Sequence, residues 1–393
     1  MDRNLEIDRL RSLVSILVVA AHFYLCFYPD ISLIQFMQGF ATTLIDLSFA
    51  ISGYVISSIL VKEIDQLKTD QVNLIAFLKG FLIKRLFRIY PALWSVFFLV
   101  FLLSIIFTST NVFSTPYNAI KTSLTLLTST YNYFLIDNNY PFVLIPLWSI
   151  TIEEQFYLIF PIFLLLTKNN KQRVKIFVSL IILITFILRP LTVHYYGRLG
   201  LYFTQTRCDA ILYGCLIYIL TQQPWFASLK PAPRHNRWLQ TAFLSLIFYI
   251  MIGITTLGYS PVIYLPINCL LISILLITAT FKRNMIILPM PMQKMLDLNA
   301  PRSYTLYLIH TPIIMMTNVI STDYLPLANK FISIKILAAI FLILLTNEIL
   351  YRLILLPSMK KGKAISENLR ENVSKNPQFG INFILSTETR HQD

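Results

Sequence analysis

Arg11 and His22 are eleven residues apart in a stretch that is otherwise largely apolar. In a helix that spacing is about three turns, so the two side chains share a face and lie about 16 Å apart along the axis. A neutral imidazole can take a proton from a hydroxyl near neutral pH; the same group can also serve as a hydrogen-bonding link between helices. Asp46 lies two turns from Gly53, with Ser52 beside it, so an acid and a position of close helix approach fall on one face. Arg85 and Arg88, at i and i+3, point the same way and can present a planar fork to phosphate or anchor to lipid headgroups. Tyr90-Pro91 follows, with the proline suited to the start of a helix.

Trp148-Ser-Ile-Thr-Ile precedes two adjacent carboxylates, Glu153 and Glu154, then Gln155-Phe-Tyr157, all in an apolar run. Carboxylates are costly inside a bilayer, and neighbouring side chains diverge by about 100°, so only one of them need face a cavity. It could orient a histidine or pair with an arginine. Arg207 and Asp209 share another apolar segment, and Ser303, Tyr307 and His310 form one stripe at i, i+4, i+7. These last two groups could act in chemistry or only in helix–helix hydrogen bonding.

Holding these groups in place requires long apolar helices. Segments 12–29, 40–61, 90–108, 147–167, 176–193, 201–220, 238–257, 262–281, 303–321 and 333–356 each approach the ~20 apolar residues that cross a bilayer, which predicts ten spans. Residues 72–88 predict an amphipathic helix on the membrane surface before the third span. The polar segment 109–146 predicts an interfacial or re-entrant element, since a full span there would reverse every later loop. With the N-terminus in the cytoplasm, 27 of the 33 Lys and Arg residues fall inside and five outside, leaving Arg207 within a span; both termini are then cytoplasmic. The N-terminal apolar stretch, interrupted by His22 and lacking a small-x-small cleavage site, reads as a retained first span. Residues 1–356 therefore form one integral-membrane domain, and 357–393 a short polar cytoplasmic tail.

Composition narrows the class. Of 393 residues, 56% are hydrophobic and 13% charged, about half the charged fraction of an ordinary soluble domain. Mean hydropathy is +0.64. A soluble enzyme, a disordered chain and a disulfide scaffold are excluded, and an all-α polytopic membrane protein is expected. The net charge of +14 matches cytoplasmic loop bias better than nucleic-acid binding, for which no module is present. Cys26, Cys208, Cys215 and Cys269 lie in apolar runs without a CxxC, so no metal is expected. No Walker or GxGxxG loop suggests a nucleotide-driven pump.

In order along the chain, these clusters resemble the acyltransferase-3 family, membrane acyltransferases that modify sugar hydroxyls. The resemblance runs over about residues 5–356 and rests on Arg11 to His22, Asp46–Gly53, Arg85-x-x-Arg88 with Tyr90-Pro91, Trp148-Ser through Tyr157, Arg207-x-Asp209, and Ser303-Tyr304 through His310. It implies ten membrane helices in a cell inner (plasma) membrane and an acyl-CoA donor, usually acetyl-CoA, reaching the protein from the cytoplasm. It also implies His22 as base, Arg85 and Arg88 at the donor's side, and a carbohydrate or glycolipid acceptor beyond the membrane. Arg11 and Tyr90 join the donor-binding set. Glu153 is expected to orient the imidazole and Arg207 to stabilise the oxyanion, while an acyl-histidine intermediate is the alternative route. Some members carry an SGNH hydrolase-type domain. This chain ends too soon to hold one, so either direct transfer or a separate extracytoplasmic partner is expected. A secondary transporter or flippase for an amphipathic or lipid-linked anion is the competing class. No pair of related halves supports it.

Overall fold

The computed structural model describes residues 4–27, 31–110, 112–136, 142–229, 237–256, 260–281, 288–324 and 331–375. Among the described residues the regular structure is all helix, with no strand. The helices used below are α1 (Leu5–Phe27), α2 (Ile31–Leu67), α3 (Gln71–Ile106), α4 (Pro116–Leu127), α5 (Trp148–Leu166), α6 (Asn170–Leu183), α7 (Arg189–Tyr196), α8 (Thr204–Thr221), α9 (Arg237–Thr256), α10 (Pro261–Thr280), α11 (Met290–Asn299), α12 (Ser303–Val319), α13 (Ile332–Ile349) and α14 (Leu356–Lys375).

The distribution of polarity is that of a membrane protein. Phe98, Leu166, Phe186, Phe341 and Leu353 face outward, whereas Asp46, Glu154, Arg189, Arg207, Asp209 and His310 are buried. Seven described stretches are long and apolar enough to cross a bilayer: Leu5–Phe27, Met37–Leu67, Gln71–Ile106, Val143–Leu166, Asn170–Tyr202, Pro261–Thr280 and Ile332–Val373. The other three segments read as spans coincide with α8, α9 and α12. α8 carries Arg207 and Asp209, the apolar part of α9 is Ala242–Thr255, and α12 has 17 residues.

α3 differs from the expected surface helix followed by a separate span. It runs unbroken for 36 residues through Pro91, about 54 Å and well beyond a ~30 Å hydrocarbon core. Packing of neighbouring helices lets a membrane helix tolerate the missing proline N–H; the Tyr304 hydroxyl donates to the Ile89 carbonyl at 2.9 Å beside the proline. At its start, Asp70 accepts from the Asn73 side chain (2.6 Å) and from its backbone N–H (3.1 Å). These bonds hold the Asp70 carboxyl below the usual carboxylate range. α14 packs along the first half of α3, with Gly362 against Phe87 and Ser366 against Gly80.

α2 is the axis of the bundle. A Cβ on Gly53 would lie 2.1 Å from the Ile211 carbonyl oxygen, and one on Gly214 would lie 1.9 Å from that of Ala50. Backbones this close need glycine at both positions. Asp46 and Gly53 of α2 meet Arg207 and the Ile211–Cys215 turn of α8 in the same order, so these helices run parallel. Phe49 and Ser52 likewise meet Trp148 and Glu153 of α5 in order, so α5 is parallel too. Between α3 and α5, α4 rises only about 18 Å over its twelve residues, too short to cross. A non-crossing 109–146 segment is what parallel α2 and α5 require.

Candidate active site

Two cavities lie inside the bundle. The first, about 240 Å³, is walled by α1, α2, α3, α5 and α12. Arg11, Arg85 and Arg88 face it together, as the i, i+3 spacing on α3 requires. Glu153 is the carboxylate on this cavity: one oxygen accepts from Ser52 Oγ at 2.9 Å and the other from the Tyr157 hydroxyl at 2.7 Å. The Arg85 guanidinium sits 5.1 Å from the Tyr157 ring centre and 5.4 Å from that of Phe81. Three guanidiniums against one carboxylate leave the cavity with a surplus of two positive charges. A site of this sign can hold phosphate groups through charge-assisted guanidinium forks.

The second cavity, about 370 Å³, is lined by His22, Trp148, Tyr202, Tyr264 and Arg198 among others. Ile45 lines both cavities. His22 and His310 meet in an edge contact, ring centres 4.8 Å apart at 71°. Tyr307, 5.7 Å from His310, faces the first cavity; Thr311, bonded to His310 Nε2 at 3.0 Å, faces the second. The histidine pair thus occupies the wall between the two spaces.

The two imidazoles are held differently. His22 Nδ1 is 2.8 Å from the Val18 carbonyl. A carbonyl can only accept, so Nδ1 carries the hydrogen and Nε2 is the basic nitrogen of the neutral ring. No hydrogen bond occupies His22 Nε2 among the described residues. His310 Nδ1 donates in the same way to the Tyr307 carbonyl at 2.7 Å, but its Nε2 is taken by the Thr311 hydroxyl. His22 is half-buried and faces a cavity, whereas His310 is fully buried.

Other residues singled out from sequence are distributed around this core. Adjacent Glu153 and Glu154 diverge: Glu154 accepts from Ser129 Oγ at 2.9 Å and does not line the first cavity. Tyr90 also hydrogen-bonds Ser129 and does not line the arginine cavity. Gln155 donates to the Ser129 carbonyl and to Asn132, so Glu154, Gln155 and Tyr90 together pin the segment after α4. Glu153 lies with the arginines; the contacts to the His22 ring come instead from Val18 and His310. Arg207 pairs with Asp46 at 2.7 Å, donates to the Thr42 carbonyl at 3.0 Å and lies 5.4 Å from the Trp148 ring centre. It lines neither cavity. Asp209 pairs with Arg189 at 2.5 Å, so Arg207 and Asp209 serve separate ion pairs.

Arg189 and Arg198 belong to none of the clusters read from the sequence, yet one forms a buried pair with Asp209 and the other lines the second cavity. For Arg189 the available signal was its place inside the apolar run 176–193. Tyr307 donates to the Pro146 carbonyl at 2.6 Å and bonds Ser149 at 2.8 Å, joining α12 to the start of α5.

Residues 4–348 match the acyltransferase domain family. O-acetyltransferase OatA of Staphylococcus aureus strain NCTC 8325 is 29% identical over 349 residues, covering 81% of this chain and 52% of the relative. The protein of the same name from strain MRSA252 gives the same figures. The chain spans about half the length of the curated relatives it matches. No solved structure matches it.

Proposed function

Because the chain belongs to the acyltransferase-3 family, we propose that it is a membrane O-acyltransferase, in the first instance an O-acetyltransferase. In this reading it moves an acyl group from acyl-CoA, bound at the arginine cavity, to a carbohydrate hydroxyl that approaches from the second cavity. The observation that carries the proposal is His22, which lines the second cavity and touches His310 in the wall toward the first, with no hydrogen bond on its Nε2 among the described residues. Support for an acetyl donor and a hydroxyl acceptor comes from the relatives' name, O-acetyltransferase.

The chemistry follows from the groups in place. Arg11, Arg85 and Arg88 hold the donor's phosphates and leave its thioester pointing toward the wall between the cavities. His22 Nε2 takes the proton from the acceptor hydroxyl as its oxygen bonds to the thioester carbonyl carbon. The C–S bond then breaks and the CoA thiolate recovers a proton, giving ester and free CoA. Glu153 fixes Tyr157, which underlies Arg85, and keeps the three arginines from repelling one another without relief. Arg207 acts from behind the wall, positioning Trp148 and α2 through Asp46. With the positive-inside count of 27 to five, the arginine cavity belongs to the cytoplasmic half and both termini to the cytoplasm of a plasma membrane. A separate extracytoplasmic protein could receive the acyl group before its final acceptor.

The test is release of CoA thiol from acetyl-CoA by purified protein supplied with a carbohydrate acceptor. Acceptor-dependent release, lost in His22→Ala while acetyl-CoA still binds, is the expected result. Acceptor-independent behaviour, or full activity of His22→Ala, overturns the assignment.

A further inference from the structure

We propose that the second cavity is an acceptor site selecting a sugar that bears a negative charge, and that Arg198 is the residue that reads the charge. The inference rests on the acyltransferase reading above and extends it to the class of acceptor.

The cavity's volume of about 370 Å³ lies in the range of small-molecule sites. Its flat walls are aromatic: Trp148 and Tyr202, ring centres 5.3 Å apart, with Tyr264 nearby. Such faces pack against the C–H face of a sugar ring. Thr42, Thr311 and Gln38 add hydroxyl and amide groups that both donate and accept, as sugar hydroxyls do. His22 contributes its basic nitrogen at the same surface.

Charge then narrows the ligand. Arg198 is the only Lys or Arg on this cavity, and no Asp or Glu lines it among the described residues. The two buried arginines of the same region are each neutralised, Arg189 by Asp209 and Arg207 by Asp46. Arg198 has no such carboxylate among the described residues. It follows Gly197, whose φ of +57° belongs to the left-handed region and ends α7. That turn redirects the chain so that Arg198 reaches the cavity. An exposed guanidinium at the rim of an otherwise acid-free, aromatic-walled site would hold a carboxylate or phosphate on the sugar, with a hydroxyl directed inward to His22.

The experiment uses the full chain in detergent with three acceptors: methyl glucoside, methyl glucuronide and glucose 1-phosphate. One readout is CoA release from acetyl-CoA. The other needs no turnover: protection by each sugar of Cys26, which lines the cavity one turn from His22, against a methanethiosulfonate reagent, followed by peptide mass spectrometry. The expected result is preference for a charged sugar in both readouts, the better of the two identifying carboxylate or phosphate. In Arg198→Gln the KM for that sugar should rise roughly tenfold or more, and the preference over the glucoside should collapse; Arg198→Lys should restore part of it. Equal use and equal protection by charged and neutral sugars overturns the proposal, as does an unchanged preference in Arg198→Gln. If no acceptor supports CoA release, yet Cys26 protection keeps a charge preference that Arg198→Gln abolishes, the acyltransferase reading fails and the anionic-sugar site stands.

Discussion

Val18 sets the tautomer of His22 by accepting from Nδ1, whereas Thr311 occupies the corresponding Nε2 of His310. The two histidines should therefore fail differently. His22→Ala is expected to lower turnover by about 10²–10⁴-fold, the range for loss of a general base, with little change in melting temperature. His310→Ala removes a fully buried ring together with its hydrogen bonds to Thr311 and the Tyr307 carbonyl, at a cost of about 1–3 kcal/mol, and should show mainly as lower melting temperature with a smaller loss of rate. Turnover and thermal-shift measurements on both variants separate the roles; an active, merely destabilised His22→Ala protein would move the base to His310. At the other cavity, Arg85→Ala and Arg88→Ala should each weaken acetyl-CoA binding by about 1.5–3 kcal/mol, roughly tenfold or more. Lysine should rescue only part, because it lacks the planar fork. Calorimetric titration with CoA checks this, and wild-type affinity in the double alanine variant would remove the arginines from the donor site.

Between elements, the contact of α2 with α8 leaves no room for side chains at its closest points. Gly53→Ala and Gly214→Ala each force a methyl group into a backbone carbonyl, at 2.1 and 1.9 Å before relaxation. Overpacking of this kind costs about 1–3 kcal/mol. Because Asp46 and Arg207 sit on the same seam, the displaced helices should also strain that buried pair. Melting temperature in detergent should fall for both variants, and by more for leucine than for alanine. A Gly53→Leu protein as stable as wild type would show that the helices do not approach as described. The unbroken α3 carries a related consequence: its N-terminal half and α14 form one packed layer through Gly80 and Ser366, and this layer adjoins Arg85 and Arg88 on the same helix.

Across the whole molecule, the parallel courses of α2, α5 and α8 fix relative directions, and the proposed absolute direction rests on the asymmetry of basic residues. α1 and α12 run in the same direction as well, since Ser12 and Ser15 meet Asn299, the end of α11 just before α12, and His22 further along meets His310. Cysteines introduced at Asn169, before α6, and at Ser260, before α10, should react with an impermeant reagent from opposite sides of the membrane. Labelling from one side would break the alternation. In the proposed topology the arginine cavity and the second cavity, which lie toward opposite ends of α2, fall on different halves of the bilayer, with the histidine pair between them.

Much of this was legible in the residues themselves. The apolar periods predicted an all-helical membrane protein because every backbone polar group in a bilayer must be paired within its own segment. The i, i+3 arginines and the three-turn Arg11–His22 spacing predicted shared faces because helix geometry alone sets those directions. Tertiary packing decided what each face meets. No local rule could tell that Arg207 pairs with Asp46 and Asp209 with Arg189, that Glu153 turns to the arginines rather than to His22, or that His22 and His310 touch. These partners lie far apart in sequence, and their choice depends on helix directions and on the backbone approach at Gly53 and Gly214. Pro91 shows the same limit: its local chemistry predicts a helix start, and the surrounding helices made the continuous helix the better solution.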